Sequence, residues 1–161
     1  MDNPTTATIM NQKAGELPST VSELDFDTEL MSAFEFANHG SNFFAAAISK
    51  SVALLQIDPK TGELKEVKCI EADFHEKDPE VAKVRWSNNN KLIVSGGADG
   101  FMRIFKVISN DSGIIMDFEL QTELGQHSKE INDVALNPDN SLAISASIDK
   151  TCRIYSLKDN K

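Results

Sequence analysis

The most restrictive feature of this 161-residue sequence is an internal repeat with a spacing of 50 residues. The segments 81–107 (VAKVRWSNNNKLIVSGGADGFMRIFKV) and 131–157 (INDVALNPDNSLAISASIDKTCRIYSL) align without a gap. Identical residues occupy the pairs Val84/Val134, Asn90/Asn140, Leu92/Leu142, Ser95/Ser145, Asp99/Asp149, Arg103/Arg153 and Ile104/Ile154. A repeat of this length indicates that one supersecondary unit is used several times, and that neighbouring units bury each other's apolar faces.

The same spacing, applied backwards, reaches a third and weaker copy at 31–57. Its apolar pattern agrees with the other copies although its identity is nearly lost. In this alignment Phe34 and Phe36 correspond to Val84 and Trp86, and FFAAA (43–47) corresponds to IVSGG. Leu54, Leu55 and Ile57 correspond in turn to Ile104, Phe105 and Val107.

Each copy has the pattern of three short strands, with room for a fourth strand before the next copy in GELKEVKCI and IIMDFELQTEL. Alternating polarity and enrichment in β-branched and aromatic residues favour strands. The repeat therefore predicts an all-β fold, a partial WD-repeat β-propeller with about three four-stranded blades in an open array. We expect blades at about 31–74, 81–124 and 131–157 within a propeller region 21–161, after a disordered tail at 1–20.

A polar network inside each blade is a second prediction. Repeats of this type join a His before the first strand, a Ser or Thr on the second, an Asp in the following corner and an aromatic residue on the third. The predicted structural network consists of Ser95 and Asp99 in the middle copy, and of His127, Ser145 (or Ser147), Asp149 and Tyr155 in the last copy. Lys77 and Phe105 stand where the middle copy should carry its His and its hydrogen-bonding aromatic residue, so these blades are degenerate.

The stretch VSGGADG (94–100) has two interpretations. A glycine-rich turn after a strand can hold a phosphate, but dinucleotide and P-loop sites need spacings and a following helix that are absent here. The preferred interpretation is a tight corner between strands, with Gly100 in an Asp-Gly turn that requires a positive φ. Gly96 and Gly97 would then let the inner strands pack closely.

Composition limits the partners that this chain can bind. A formal net charge of −9 and a pI near 4.8 argue against nucleic acid and acidic membrane surfaces. No apolar run is long enough for a membrane span, and the polar start is not a signal peptide, so we expect a soluble chain. The cysteines Cys69 and Cys152 form no metal-binding pattern, and we expect them to be buried, reduced thiols.

Several other side chains invite a functional interpretation that the repeat makes unnecessary. His127 is a catalytic candidate beside Ser145, Asp149 and Cys152, yet its place in the repeat predicts a structural role. The acidic segments DFDTEL and EADFHEKDPE lack the regular oxygen spacing of a calcium loop, so we expect them to be solvated. The same is expected of His39 and His75, whereas Arg103 and Arg153 should pack along their blades.

One family resemblance goes beyond the general repeat. The stretch EADFHEKDPEVAKVRWSNNNKLIVSGGADGFMRIFKV (71–107) resembles the prolactin regulatory element-binding protein family, which shares a similar DF…DP lead-in and a TGG.DG corner. The next copy, with HSKEINDVAL, is similar to the family's following blade, and 28–57 is similar to the preceding one.

The resemblance implies a WD-repeat guanine-nucleotide exchange factor for a Sar-type small GTPase. Such a protein starts COPII vesicle formation in ER-to-Golgi transport, from the cytosolic face of the endoplasmic reticulum membrane. The family's exchange activity depends on a glycine-rich, potassium-binding loop in its first blade, and no GGGG run occurs here. No catalytic, cofactor or metal residue is therefore carried over, no cofactor is expected, and we expect this chain by itself to be an inactive, unanchored fragment.

Two other functions stay open. The first is a WD-repeat scaffold that binds proteins or peptides and has no exchange activity. The second is an enzyme, which is less favoured because no copy holds a nucleophile and base that the repeat leaves unexplained. A stable, folded monomer of 161 residues in size-exclusion chromatography would exclude the fragment interpretation.

Overall fold

The fold is described from a computed structural model over residues 31–71 and 81–157. The tail at 1–20, His75 and Lys77 lie outside the described residues. The described strands are β1 (Met31–Phe36), β2 (Phe43–Ile48), β3 (Ser51–Ile57), β4 (Leu64–Glu71), β5 (Val81–Trp86), β6 (Leu92–Gly97), β7 (Phe101–Ser109), β8 (Ile115–Gln126), β9 (Ile131–Leu136), β10 (Leu142–Ser147) and β11 (Cys152–Ser156).

The strands form three antiparallel sheets in chain order, and each sheet is one blade. Blade 1 has the order β1-β2-β3-β4, blade 2 has β5-β6-β7-β8, and the described part of blade 3 has β9-β10-β11. Within each sheet, every strand pairs with its neighbours in sequence, as expected when short turns connect antiparallel strands. The predicted all-β, open array of propeller blades is confirmed.

The core lies between the blades. Each blade has an N-side face, turned toward the preceding blade, and a C-side face, turned toward the following one. One apolar cluster joins the C-side face of blade 1 to the N-side face of blade 2 and includes Ala45, Ala47, Leu54, Val84, Trp86, Ile93 and Phe105. A second cluster joins blades 2 and 3 and includes Val94, Met102, Ile104, Ile131 and Val134. Burial of both sheet faces explains why the β2 and β6 sequences are continuous apolar or small-residue runs.

The register corrects one part of the repeat alignment. Val94 pairs with Arg85 in blade 2, and the equivalent pair in blade 1 is Ala45 with Glu35, so β2 and β6 are offset by 49 residues rather than 50. The turn before β2 is one residue longer than the turn before β6, and a shorter turn before β3 restores the offset of 50. FFAAA is therefore misaligned by one residue, and FAAAI (44–48) is the true counterpart of IVSGG. Such a slip moves every side chain of the strand to the opposite face.

The predicted burial of the cysteines is wrong. Cys69 and Cys152 are both exposed. Cys69 lies on β4 and Cys152 on β11, and each of these strands is the last of its described sheet. A strand at that position has fewer neighbours to cover it than the inner strands have. No helix in the described residues is long and apolar enough to cross a membrane.

Candidate functional site

The most strongly connected polar site lies in blade 3, around His127. Its Nδ1 is 2.8 Å from Oδ2 of Asp149, and its Nε2 is 2.8 Å from Oγ of Ser145. A carboxylate only accepts hydrogen bonds, so Nδ1 donates to Asp149 and, in the neutral ring, Nε2 accepts from the Ser145 hydroxyl. His127 is 1% exposed and Ser145 is 0% exposed, so the bonds are shielded from water. The structure thus brings three of the six predicted network residues together.

Thr151 is a fourth member that the sequence did not identify. Its hydroxyl donates to Oδ1 of Asp149 at 2.6 Å and lies 3.1 Å from Nδ1 of His127. The backbone N–H groups of Thr151 and Ser128 also donate to the Asp149 carboxylate. A Thr two residues after the corner Asp was the available signal, because Asp and Thr favour such local turn bonds.

These bonds hold the pKa of the Asp149 carboxyl well below its ordinary range. The largest cause is the hydrogen bond from the Thr151 hydroxyl, followed by desolvation, which acts in the opposite direction, and then by the bond from His127. Each donor stabilises the ionised carboxylate more than the protonated acid. Asp149 is therefore the fixed negative charge of this site.

The order Ser145–His127–Asp149 resembles the order of groups in a hydrolytic triad, and the distances are suitable for one. A nucleophile must also be reachable by the substrate carbonyl carbon, and the Ser145 side chain is fully enclosed. The three side chains consequently have a structural role. Their hydrogen bonds, which we call the pin of blade 3, hold the segment before β9 against the turn after β10. Ser147, the alternative to Ser145 in the predicted network, instead donates to the carbonyl of Lys129 at 3.0 Å, and its oxygen accepts from the N–H of Asp149 at 3.1 Å.

The same His127 also links blade 3 to the glycine-rich corner of blade 2. Its backbone N–H donates to the carbonyl of Gly100 at 2.8 Å. Gly100 has a φ of +77°, and a Cβ at this position would lie 2.5 Å from the carbonyl oxygen of His127. The N–H of Gly100 donates to the carbonyl of Gly97, and that of Phe101 donates to Asp99. Because these backbone N–H groups already donate within the turn, they are not available to bind a phosphate. The glycine-rich corner therefore serves the packing of blade 2 against blade 3.

Gly96 has a different reason to be small. A Cβ built there would lie 2.6 Å from Cγ2 of Ile131 and 2.9 Å from Cγ1 of Val134, both on the first strand of blade 3. Glycine therefore allows β9 to pack closely on the C-side face of blade 2.

The polar site of blade 2 is centred on the buried side chain of Arg103, which contacts two carboxylates. Nη2 of Arg103 is 2.5 Å from Oδ2 of Asp99, and its Nε donates to Oε1 of Glu123 at 2.7 Å. The Arg103 side chain is 2% exposed, and its buried charge is compensated by the equally buried Asp99 carboxylate, with Glu123, whose side chain is 32% exposed, as a second partner. Arg153, at the same register in blade 3, is exposed. The two arginines that the repeat treats as equivalent thus have different environments.

Two further predicted network residues lie apart from His127. Ser95 is buried at the centre of β6, paired with Val84 on one side and with Arg103 on the other. Tyr155 points toward blade 2, where its hydroxyl is 3.5 Å from the carbonyl of Gly125. A Cβ on Gly125 would lie 2.8 Å from the Tyr155 ring. Tyr155 therefore acts at the junction between blades 2 and 3 and not in the chain of bonds around His127.

A repeated asparagine contact joins the blades at their first turns. The N–H of Asn38 donates to Oδ1 of Asn90 at 2.7 Å, and the N–H of Asn88 donates to Oδ1 of Asn140 at 3.0 Å. Asn90 and Asn140 both have a φ of +57°. Asparagine tolerates this left-handed conformation better than most residues, which explains the identity of the two positions in the repeat.

Other residues of interest lie on the surface. His39 is exposed, as predicted for a solvated loop, although its Nε2 is 3.0 Å from the carbonyl oxygen of Asn88. A groove of about 480 Å³ on blade 2 carries two lysines and is lined by Lys91, Leu92, Lys106, Val107, Ser109 and Gln121. In the described residues, His, Cys, Asp and Glu form no group of three or more that could hold a metal ion.

Comparison with known proteins places this geometry among WD repeats. The family description "WD domain, G-beta repeat" (WD40) matches residues 66–106 and 118–156. The solved C-terminal WD40 domain of Sif2 superimposes with a TM-score of 0.63 at 17% identity, over 83% of this chain and 36% of that one. This structural similarity shows that the described strands have the WD40 fold.

Curated relatives share the repeat but differ in their names. The chain is 34% identical over 100 residues to the guanine nucleotide-exchange factor SEC12 of Rattus norvegicus, covering 61% of this chain and 21% of that protein. It is 35% identical over 78 residues to the probable cytosolic iron-sulfur protein assembly protein CIAO1 homolog of Caenorhabditis elegans, covering 47% and 23%. It is 30% identical over 89 residues to the U5 small nuclear ribonucleoprotein 40 kDa protein of Homo sapiens, covering 55% and 22%.

The chain spans about a fifth to a quarter of the length of these relatives. What all of them have in common with it is the repeat, which also accounts for the stacked sheets and the packing between them. The two WD40 matches and the superposition on a solved WD40 domain therefore identify the chain as a WD-repeat protein.

Proposed function

We propose that this chain is the blade region of a guanine-nucleotide exchange factor for a Sar-type small GTPase, acting at the endoplasmic reticulum in COPII-dependent transport. The observation that carries the proposal is the similarity to SEC12 over 100 residues in the rat protein and over 89 in the mouse protein. The family resemblance in 71–107 points to the same class of protein. The chain would act through protein contacts, and its turns and exposed strand surfaces would meet the GTPase.

The buried chemistry agrees with a role in binding. Every described buried side-chain nitrogen or oxygen has a hydrogen-bond partner in the chain. The buried charged groups Arg103 and Asp99 form an ion pair with each other. Polar groups that satisfy one another stabilise a scaffold and are poorly placed to react with a substrate.

Binding to the nucleotide-free GTPase tests this proposal. An exchange factor must bind the nucleotide-free state more tightly than the nucleotide-bound states, because the two binding equilibria are linked. We expect a protein that carries this chain together with the family's glycine-rich loop to prefer a nucleotide-free Sar-type GTPase over its GTP-bound form by about tenfold or more. A small GTPase of another class, also stripped of nucleotide, is the control. Equal binding to all nucleotide states, or equal binding to both GTPases, would contradict the proposal.

A protein-binding scaffold without exchange activity is the second candidate. The groove on blade 2 favours it, because Lys91 and Lys106 flank the apolar side chains of Leu92 and Val107 in an otherwise acidic chain. This combination suits a short acidic peptide with an apolar anchor. The similarity to a CIAO1 homolog and to a U5 ribonucleoprotein component supports the same function class.

Charge reversal in the groove separates the two candidates. We expect Lys106→Glu to weaken acidic-peptide binding by about tenfold, while Lys129→Glu, an exposed lysine outside the groove, leaves it unchanged. Peptide binding that Lys106→Glu abolishes, without any preference for a nucleotide-free GTPase, would select the scaffold.

A further inference from the structure

The N-side face of blade 1 is buried, although among the described residues no strand of another blade packs on it. The apolar cluster of this face consists of blade 1 residues only, namely Phe44, Ala46, Ile48, Ala53 and Leu55, with Ile57 and Leu64 at its border. The five members on β2 and β3 are only 0–8% exposed. Side chains as large as Leu55 and Ile48 become fully buried on a sheet face only when other groups lie over them, so their burial requires a cover from outside the described residues.

The other end of the array shows how an uncovered face differs. On the C-side face of blade 3, Ile144 is 38% exposed and Ile154 is 66% exposed. Val94 and Ile104 have the same register in blade 2, and they are buried beneath blade 3. Burial of the outermost face of blade 1 is therefore not a general property of these sheets.

The cover on blade 1 is narrower than a whole blade. Phe34 and Phe36, on the same face of β1, are 60% and 50% exposed. Val84 and Trp86 occupy the equivalent positions on β5, and blade 1 buries both of them. A cover that reaches β2 and β3 but leaves β1 open has the width of one or two strands, which lie about 4.8 Å apart in a sheet.

The sequence before β1 contains a counterpart of the fourth strand of a blade. KAGEL (13–17) repeats KTGEL (60–64), which leads into β4, and DF (25–26) repeats the DF (73–74) that follows β4. The segment between these two matches is shorter by one residue in the first copy. Residues 15–26 thus precede β1 as β4 precedes β5.

Fourth strands in this chain lie over the N-side face of the next blade. Val67 and Ile70 of β4 pack against the cluster that contains Phe105 of β7. Leu124 of β8 and Tyr155 of β11 likewise pack against the cluster between blades 2 and 3. In both junctions the fourth strand of one blade approaches the third strand of the following one.

We propose that residues 15–26 of this chain cover the N-side face of blade 1 in the manner of a fourth strand. Leu55 has the repeat position of Phe105 and Tyr155, and its complete burial marks the place of the contact. The segment offers four apolar side chains: Leu17, Val21, Leu24 and Phe26. Residues 27–30 then make a connection to β1 of the same length as 127–130, which joins β8 to β9. This contact shortens the expected disordered tail, and it is independent of the partner that the blades bind.

The reaction of a single cysteine with iodoacetamide tests the proposal. Ala53 is fully buried on the N-side face of blade 1, and Ala53→Cys is placed in the full chain after Cys69 and Cys152 have been replaced by serine. We expect this thiol to react at least about tenfold more slowly than that of Ile144→Cys, made in the same background on the exposed face of blade 3.

Two truncations locate the cover. Deleting residues 1–26 should raise the reaction rate of Ala53→Cys by about tenfold or more, because the thiol then no longer needs a local opening to react. Deleting residues 1–12, which lie before the KAGEL match, is the control and should leave the rate unchanged.

A variant of full length separates the loss of the contact from the loss of chain. Serine replaces the four apolar residues of the segment together, and the control carries Ile9→Ser and Met10→Ser. We expect the first variant to raise the reaction rate of Ala53→Cys by about tenfold or more and the control to leave it unchanged. Circular dichroism monitors the fold. Unfolding of the four-serine variant alone would also support the proposal, because a solvated tail does not stabilise the blades.

Three results would overturn the proposal. Fast reaction of Ala53→Cys in the full chain would show that the face is open. Slow reaction that neither the longer deletion nor the four serines change would assign the cover to another part of the chain. Protection that is lost on dilution would assign it to a second copy of the chain.

Discussion

A Cβ on Gly100 would lie 2.5 Å from the carbonyl oxygen of His127, so the corner of blade 2 and the entry to blade 3 are in direct backbone contact. The N–H of His127 returns a hydrogen bond to the carbonyl of Gly100. The imidazole of the same residue is bound to Ser145 and Asp149. A single residue thus connects the glycine-rich corner of one blade to the polar network of the next.

The first prediction concerns that contact. Gly100→Ala should destabilise the chain by about 2 kcal/mol or more, because the methyl group meets backbone atoms and the φ is +77°. Gly113→Ala is the control, since Gly113 has the same φ but nothing within 4 Å of its Cβ position, and should cost about 1 kcal/mol. Urea unfolding measures the free energy of unfolding of both variants. Equal losses would mean that the backbone conformation alone, and not the contact, requires glycine at 100.

A second prediction tests the buried pin of blade 3. Ser145→Ala should cost about 1–3 kcal/mol, because it leaves Nε2 of the buried His127 without its partner. Ser147→Ala removes the bond to the carbonyl of Lys129 and the bond that its oxygen accepts from the N–H of Asp149, neither of which involves the imidazole, and should cost less than about 1 kcal/mol. The free energy of unfolding in urea provides the comparison. A loss for Ser147→Ala as large as that for Ser145→Ala would contradict the structural importance of the pin.

Acid should weaken the same site. The pKa of Asp149 is lowered in the folded state, so its stabilising contribution is complete above the ordinary Asp value of about 3.9 and is lost as the pH falls through that value toward the folded pKa. The difference in unfolding free energy between the unsubstituted chain and Asp149→Asn should therefore be largest at pH 7 and shrink below about pH 4. Unfolding in urea between pH 7 and pH 2.5 measures it.

Thr151→Val provides the control for this pH dependence. It keeps the size of the side chain but removes the hydroxyl, which is the largest cause of the lowered pKa. We expect the pKa of Asp149 to rise toward its ordinary value. The loss of unfolding free energy on going to acid pH should then become smaller. An Asp149→Asn difference that stays constant with pH would contradict the role of Asp149 as the titrating group.

The blade pattern could be predicted from sequence because it depends on periodicity and apolar character alone. The one-residue slip in β2 was missed because Phe43, Phe44 and the alanines around 45–47 are apolar on both faces of a buried strand, so no polar side chain marks the register. The identity of Asn90 and Asn140 was visible, but its reason lies in the neighbouring blade, at Asn38 and Asn88. Contacts between copies of a repeat cannot be derived from the alignment of those copies.

The arginines at 103 and 153 show the same limit and give the last prediction. β7 lies between β6 and β8, and β8 supplies Glu123 to Arg103, whereas β11 is the last described strand of its sheet. Arg103→Leu should cost about 3–5 kcal/mol, because it leaves the buried Asp99 carboxylate without its positively charged partner. Arg153→Leu, identical in chemistry and in repeat position, should change the unfolding free energy by about 0.5 kcal/mol or less, because Arg153 is exposed. Urea unfolding of the two variants in parallel compares their free energies of unfolding. Similar losses of free energy would show that both arginines are buried and paired in solution.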